Sequence, residues 1–315
     1  MNFTLPYENS KFAADGKDIE ISGLSESIVF TVSAAGTNIL RETYNYDNEG
    51  KVRIRGIASI VSQCLYGTLG TGLQPGAMKT MAFYAGGTLI QQKNIYASRL
   101  RNPYDPNGAR QVMAMARNTV CHPDYYFYLT FTAPVAVALK SASGEQITST
   151  SVGSAGGVYT QNCDPKALFP GHYTQGAYMD FSDNLRAYIV PACKDSVVVR
   201  FLNRYDVMES LVAAYMEDKP SAQDDVSVMY GQRTRFDVKS TAEYTLKSGA
   251  LRHADQFDTW HDLLTSRKAQ ILVPGTSSSW EDIVITKSNY TRQRRQFHGS
   301  QAEVSFQTAN PYMTL

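Results

Sequence analysis

The stretch VVVRFLNRYDVMESLVA, residues 197–213, consists of two apolar runs of strand length separated by four polar residues. Asn and Asp both stabilise tight turns through their side chains, so this pattern predicts two antiparallel strands joined at a corner. The same four residues also bring an amide, a guanidinium and a carboxylate to one point, as a catalytic loop would. Because the flanking strands explain the pattern without chemistry, we interpret Asn203, Arg204, Tyr205 and Asp206 as a structural corner.

Short runs of strand character recur along the rest of the chain, as in SIVFTVSA at 27–34 and AEVSFQTA near the C-terminus. The stretch 234–251 predicts one extended strand or a protruding hairpin. Only the segments around 57–65 and 253–267 place apolar residues at helical spacing. Since no alternation of strands and helices is present, a parallel α/β fold is unexpected.

The sequence therefore predicts a mainly β protein with two β-sandwich or barrel-like domains, each with one short flanking helix. A boundary near Pro191 and the Lys194-Asp195 turn divides the chain into domains 1–192 and 193–315. The first domain is expected to carry long loops, above all the Gly- and Pro-rich stretch 153–176, which are expected to be functional surfaces or segments ordered by a neighbour. Residues 47–50 (DNEG) are expected to form a hairpin turn.

Composition argues against several classes of partner. The chain has 30 basic and 29 acidic residues, a balance that does not favour a polyanion partner. No run approaches the roughly 20 apolar residues of a membrane span, and the N-terminus has no signal-peptide core, so folding in the cytoplasm is expected. The 20 tyrosines suit sheet faces and protein interfaces.

Motifs that carry chemistry are missing from the sequence. The four cysteines lie far apart without a C-x-x-C pair, which favours free thiols over a zinc or redox site. Cys121-His122 could offer two metal ligands, and Asp224-Asp225 or Glu281-Asp282 could offer the two carboxylates of a glycosidase. Neither arrangement is specific, and we predict no enzyme activity, no cofactor and no metal.

The stretch TRQRRQFHG, 291–299, holds the only concentrated positive charge. Arg292, Arg294 and Arg295 beside the aromatic Phe297 could contact a phosphate backbone. A solvated loop or a salt-bridge cluster at a subunit interface explains the same residues. We therefore predict that these four residues face either an interface or a channel.

The order of elements after residue 190 resembles the structural proteins of bacteriophage tails. The features that carry the resemblance are a strand ending in FLNRYD, a second strand and a later strand pair, one helix of the form FDTWHDLLTS, and the closing strands ILVPG, EDIVITKSNY and EVSFQTANPY. Asn203-Arg204-Tyr205 matches an NR(F/Y)G corner in such chains, with Asp206 at the position where glycine is commoner. The resemblance covers roughly residues 190–315.

The resemblance implies a distal-tail or tail-hub protein with a tail-tube-like C-terminal domain, which forms a ring with copies of itself around a DNA channel. It implies that the N-terminal half is an accessory domain that docks other tail proteins, that the chain resides in the virion tail, and that it contacts neither a membrane nor a small-molecule substrate. The alternative is a carbohydrate-binding or glycoside-cleaving β protein, which would align surface aromatics such as YYFY at 125–128.

Overall fold

The computed structural model describes residues 1–100, 110–191, 193–229, 232–251, 253, 255–273, 275–276, 278–288 and 301–310, with the backbone alone at 220–229, 232–241 and 288. The described strands form five sheets, and the predicted mainly β fold is confirmed. Antiparallel pairs dominate, and the single parallel pair joins the strands at 185–189 and 118–121.

The N-terminal part contains a three-stranded and a four-stranded sheet around one core. Alternation in IVFTVSA directs Ile28, Phe30 and Val32 inward, and the helix places Ile57 and Val61 on the same core. The elements are β1 (Asn2–Phe3), β2 (Ile19–Ser22), β3 (Ile28–Ala34), β4 (Thr37–Tyr44), β5 (Lys51–Ile54), α1 (Ile57–Ser62), β6 (Gly72–Leu73), β7 (Met78–Ala85) and β8 (Thr88–Tyr96).

The predicted turn at 47–50 is present but does not close a hairpin within one sheet. The Asp47 carboxylate accepts hydrogen bonds from the backbone N–H groups of Glu49 at 2.8 Å and Lys51 at 2.9 Å, which fixes the turn. However, β4 pairs with β3 and β5 pairs with β2, in different sheets. The sequence expectation was therefore wrong about the pairing, because turn chemistry sets a local bend and not the partner of each strand.

The middle part packs a five-stranded sheet, in the order β12-β11-β14-β15-β9, against a second sheet that contains β10 and β13. Its core is formed by inward residues of both sheets, among them Phe131, Val137 and Phe181. The elements are β9 (Asn118–Cys121), β10 (Tyr128–Phe131), β11 (Val135–Lys140), β12 (Gln146–Val152), β13 (Tyr159–Asn162), α2 (Pro165–Leu168), β14 (Tyr178–Phe181) and β15 (Leu185–Ile189).

The segment 153–176 is not the long loop that its glycines and prolines suggested. Within it β13 pairs with β10 and β6, and α2 begins after Asp164, whose carboxylate accepts a hydrogen bond from the Ala167 N–H. Thr160, Cys163 and Phe169 are buried. Composition missed this strand because its four residues YTQN carry no apolar alternation.

The C-terminal part is one seven-stranded antiparallel sheet, in the order β17-β16-β20-β21-β22-β19-β18, with α3 packed on its apolar face. Phe257, Trp260 and Leu263 bind the helix to the sheet. The elements are β16 (Val197–Leu202), β17 (Met208–Ala213), β18 (Tyr215–Met229), β19 (Gln232–Lys247), α3 (Gln256–Leu264), β20 (Ala269–Leu272), β21 (Trp280–Ser288) and β22 (Glu303–Thr308).

Three hydrophobic cores result, one in each part of the chain. Membership of a core does not follow the division of the chain strictly. Tyr205 and Val207, from the third part of the chain, belong to the first core. The division into domains 1–192 and 193–315 stays a prediction. No helix in the described part of the chain is long and apolar enough to cross a membrane.

We expect amide hydrogen exchange to separate the strand within 153–176 from the turn before it. Backbone amides of 158–163 should exchange much more slowly than those of 153–157, because β13 lies between β10 and β6 and its Thr160 is fully buried. Exchange mass spectrometry of overlapping peptides measures this. Equal, fast exchange over the whole of 153–169 would contradict the structure.

Candidate functional site: a buried polar corner

Residues Asn203 to Asp206 form the corner between β16 and β17. The pairing of these two strands begins next to the corner, with Leu202 opposite Met208. The turn closes through the Asp206 N–H, which donates to the Asn203 carbonyl at 2.8 Å. The Asn203 side-chain oxygen accepts from the Tyr205 N–H at 3.0 Å. Unlike an ordinary hairpin corner, all four side chains are buried, with exposed fractions of 6% or less.

Asp206 has a left-handed backbone, with φ of 56°. Glycine adopts this conformation most easily, which is a physical reason for glycine at this position of the resembled pattern. Here the aspartate carboxylate makes up for the conformational cost through ion pairs with Arg267 and Arg99, whose Nε lies 3.5 Å from Oδ1. The departure from glycine at this position thus has a structural role.

Arg204 forms a buried ion pair with Asp262 of α3. Its Nε and Nη2 donate to Asp262 Oδ1 at 3.0 and 2.8 Å, and its own backbone N–H donates to Oδ2 at 3.2 Å. Asp262 is fully buried. Loss of one partner would leave a charge without compensation inside the protein, so this pair fixes α3 to the corner.

Asn203 connects the corner to the middle of the chain. Its amide nitrogen donates to the Met113 carbonyl at 2.7 Å and to Oε2 of Glu209 at 2.8 Å. Burial raises the pKa of Glu209 to about 8, and this effect outweighs the lowering by the Asn203 hydrogen bond and by the charges of Arg204 and Arg110, while Asp262 adds a smaller rise. At neutral pH this carboxyl is therefore mostly protonated, and it can accept the amide N–H without an unpaired buried charge.

Tyr205 and Arg99 extend the corner into the first core. The Tyr205 ring lies 5.0 Å from that of Phe12, measured between centroids, and its hydroxyl contacts the Met115 sulfur at 3.8 Å. The Arg99 guanidinium donates to the carbonyls of Asn203 at 3.1 Å and Thr265, and its backbone N–H donates to the Arg204 carbonyl at 2.6 Å. The corner thus contacts residues from all three parts of the chain.

The glycine at 67 shows how closely the chain approaches the corner. A Cβ at Gly67 would lie 2.1 Å from the Asp206 carbonyl oxygen, well inside van der Waals contact. No side chain fits between these two backbone segments. Glycine at 67 is therefore required by packing, since α1 already ends at Ser62.

This arrangement holds the structure together, because the four corner residues are buried and bonded to groups within the protein, with Arg267 alone of their charged partners more than half exposed. The amide, guanidinium and carboxylate that suggested a catalytic loop each have a partner within the protein. Sequence reasoning missed Glu209, Asp262, Arg99 and Arg267, which come from four different places along the chain. The available signal was an acidic residue inside the apolar strand MESLVA and another on the packed helix QFDTWHDLL.

The candidate metal ligands Cys121 and His122 both contact backbone carbonyls. The His122 ring contacts the Val190 carbonyl at 2.9 Å, and the Cys121 sulfur contacts the Tyr188 carbonyl. Burial lowers the pKa of His122 and raises that of Cys121. Among the described residues no three His, Cys, Asp or Glu side chains are grouped to hold a metal ion.

Of the two carboxylate pairs, the one that the structure describes does not make a glycosidase site. Glu281 and Asp282 are neighbours in β21 and therefore point to opposite faces of the sheet. The side chains of Asp224 and Asp225, and all of 289–300 with Arg292, Arg294, Arg295 and Phe297, lie outside the described residues. Their predicted roles stay predictions.

The aromatic stretch 125–128 is used in packing between two sheets. The rings of Tyr126 and Tyr128 stack on each other at 5.4 Å, and both contact Trp280 of β21. The Arg200 guanidinium lies 4.1 Å above the Trp280 ring. Only Tyr128 of this stretch belongs to a strand, β10.

Comparisons with known proteins give a limited result. No protein-family model matches the chain, and no curated protein matches it. Among solved structures, a tail of an empty gene transfer agent particle aligns over 36% of this chain and 91% of the other, with 12% identity and a TM-score of 0.26. A native virion of a gene transfer agent aligns over 38% and 95%, with 13% identity and a TM-score of 0.27.

A third similarity is to a mutant of Salmonella alpha-2-macroglobulin, with 8% identity and a TM-score of 0.19, over 93% of this chain and 23% of the other. At these TM-scores the similarities do not establish a shared fold.

We expect removal of either partner of the buried ion pair to destabilise the protein strongly. Arg204→Ala or Asp262→Ala should each lower the free energy of unfolding by about 3–5 kcal/mol, because the remaining charge stays buried. The double variant Arg204→Met with Asp262→Leu should lose clearly less than the sum of the two single changes. Urea unfolding measures all three.

The exposed pair Arg53–Glu20 provides the matched control, since its side chains are 65% and 39% exposed. Glu20→Ala should change the free energy of unfolding by about 1 kcal/mol or less. Strictly additive losses at Arg204 and Asp262, or losses no larger than at Glu20, would show that the corner is not held by this pair.

The raised pKa of Glu209 leads us to expect that the stability of the protein depends on pH. Its pKa is about 8 in the folded protein against 4.5 in a free side chain, so the folded state holds a proton that the unfolded state releases between these values. Its contribution therefore weakens stability as pH rises through this window, by up to about 1.4 kcal/mol per pH unit.

Glu209→Gln should remove this contribution, because a neutral amide replaces the protonated carboxyl. The variant should be as stable as the wild type near pH 4.5 and more stable near pH 8. Urea unfolding of both proteins across this range gives the difference. A constant difference at every pH would contradict a protonated Glu209 in the folded protein.

Proposed function

We propose that this chain is a structural protein of a bacteriophage tail, of the hub, distal-tail or baseplate and connector type. In this role it assembles with copies of itself into a ring around the DNA channel and docks neighbouring tail proteins. The chain supplies shape and contacts and turns over no substrate. The tail assignment is supported by the sequence resemblance of residues 190–315, and the assembly by the ribbon of β18 and β19.

The ribbon is the observation that carries the proposal. β18 and β19 have 15 and 16 residues and pair along their whole length, from Tyr215 opposite Lys247 to Met229 opposite Gln232. In contrast, β19 pairs with β22 only over Tyr244–Lys247. Residues 232–243 therefore continue for about 40 Å as a two-stranded ribbon, with no third strand among the described residues.

A two-stranded ribbon of this length is only marginally stable in water by itself. Its ordering is favoured when a neighbouring molecule covers at least one face, which is what a ring of subunits provides. The ribbon begins at a firmly held base, where Lys247 contacts Glu217 at 2.6 Å and Glu303 at 3.7 Å. A fixed base and a ribbon that extends beyond its pairing with β22 suit an arm that reaches an adjacent subunit.

The outer edge of the ribbon does not suit addition of a further strand. Pro220 lies within β18 and has no N–H to donate, and a register irregularity follows between Gln223 and Asp225. Both features block edge-to-edge pairing in natural sheets. We therefore infer that the ribbon contacts its neighbour through a face.

Shortening the ribbon tests the proposal. A variant in which residues 222–240 are replaced by a Gly-Ser turn should keep its thermal midpoint, because the three cores lie elsewhere. It should lose ring formation. Negative-stain microscopy and mass photometry of both proteins, at increasing concentration and with tail proteins from the same genome, give the result.

A wild-type protein that forms no ring and is missing from purified tails would contradict the proposed function. Rings that form equally well with the shortened ribbon would contradict the role of the ribbon alone. Retention of a saccharide on a glycan array by a strictly monomeric protein would instead favour the carbohydrate-binding alternative.

A further inference from the structure

The edge strand β12 is open on one side. It ends the five-stranded sheet and pairs with β11 alone among the described strands. Its sequence QITSTSV has no charge and no proline. Natural sheets protect their edges with charges, prolines, bulges or covering segments, because an open edge pairs readily with another strand.

The remaining sheet edges each carry such protection. β18 has Pro220, as described above. β4 has Arg41 and Glu42 along its centre and a register irregularity opposite Val32 and Ser33. The edge of β8 is covered by the N-terminal segment, since the Tyr96 N–H donates to the Lys11 carbonyl at 2.7 Å.

The shorter edges are covered or charged as well. β17 is covered by β10, where the Tyr128 N–H donates to the Ser210 hydroxyl at 2.7 Å. β10 itself is covered by the segment before β9, since the Met113 N–H donates to the Thr130 carbonyl. The end of β9 is capped by Asp255, whose carboxylate accepts from the Asn118 N–H at 2.7 Å. β5 is four residues long and carries Lys51 and Arg53, while β1 and β6 have only two residues each.

The pairing of β11 shows which groups of β12 face outward. The Ser182 N–H of the β14 side donates to the Ala136 carbonyl at 2.9 Å, so the backbone polar groups of Ala136 point to β14. By alternation those of Ala138, which lies opposite Asp180, also point to β14. Ser149 lies opposite Ala138 on the other side, in a pair that exchanges no hydrogen bonds. The backbone N–H and C=O of Ser149, and by alternation those of Ser151, therefore point to the open edge.

We propose that β12 pairs antiparallel with β12 of a second copy of this chain, across a two-fold axis at Thr150. In this register Ser149 of each copy lies opposite Ser151 of the other, so that each pair exchanges two backbone hydrogen bonds. Pairing between two edges needs an open edge on both partners. Among the described strands of this chain only β12 has one, so a second copy of the chain supplies the matching edge.

The side chains fit this register. Ser149 and Ser151 lie on the outer face, while Thr148, Thr150 and Val152 continue the core face across the axis, and no like charges meet. The irregularity of β12 is confined to Ile147, outside the four residues that would exchange bonds. The contact joins two five-stranded sheets into one of ten strands and is independent of the proposed tail function.

Charge substitution at the two serines tests both the contact and its register. Ser149→Lys with Ser151→Lys, and separately Ser149→Asp with Ser151→Asp, should each be monomeric, because like charges would lie directly opposite each other. An equimolar mixture should recover the dimer, since every opposed pair then has opposite charges. Sedimentation velocity over a concentration series measures this, and Ser149→Ala should dimerise like the wild type.

A backbone test is independent of charge. Ser149→Pro removes an N–H that points to the open edge and none that bonds to β11, so it should weaken the dimer at least tenfold while circular dichroism and the melting temperature stay close to the wild type. If it fails to fold, the charge pair decides alone. A wild type that stays monomeric at every concentration, a dimer that persists in both charged variants, or a mixture that stays monomeric would overturn the proposal.

Discussion

The buried ion pair between Arg204 and Asp262 is the interaction on which the rest of the structure depends. It joins the corner of the β16–β17 hairpin to α3, and the neighbouring Asn203 and Tyr205 contact residues of the first core. The middle sheet is joined next to the corner, where the Thr130 hydroxyl of β10 donates to the Met208 carbonyl of β17. A charged pair inside a protein adds little stability compared with an apolar pair of similar volume, but it tolerates only one arrangement. Its role here is therefore to fix the arrangement of α3, the corner and the first core.

The surrounding groups satisfy the requirements that such a buried site imposes. The Asp206 carboxylate forms ion pairs with the guanidinium groups of Arg267 and Arg99. Glu209 retains its proton near neutral pH, so it adds no further buried negative charge. The cost of a left-handed aspartate and of a titrating carboxyl in the interior is offset by a closed hydrogen-bond network. A particle component that must keep its shape under load benefits from such a junction, which agrees with the proposed structural role.

Much of the fold followed from the sequence, because alternation and helical spacing are local signals. The helix packed through Phe257 and Trp260 was predicted in this way, as was the extended strand β19, one of the two alternatives for 234–251. The strand at 159–162 and the sheet change at 47–50 were not, since each depends on a distant partner. The corner at 203–206 was located correctly, yet its partners at 99, 113, 262 and 267 could not be found from spacing because tertiary packing brings them together.

A corner that contacts all three parts of the chain should make the three cores one cooperative unit. Native-state hydrogen exchange at increasing, sub-denaturing urea tests it most directly, with the slowest amides of β3, β11 and β16 as reporters for the three cores. The account predicts that all three reporters converge on one free energy of opening with one urea dependence. A core whose amides exchange through a separate opening, of lower free energy and weaker urea dependence in the wild type, would contradict it.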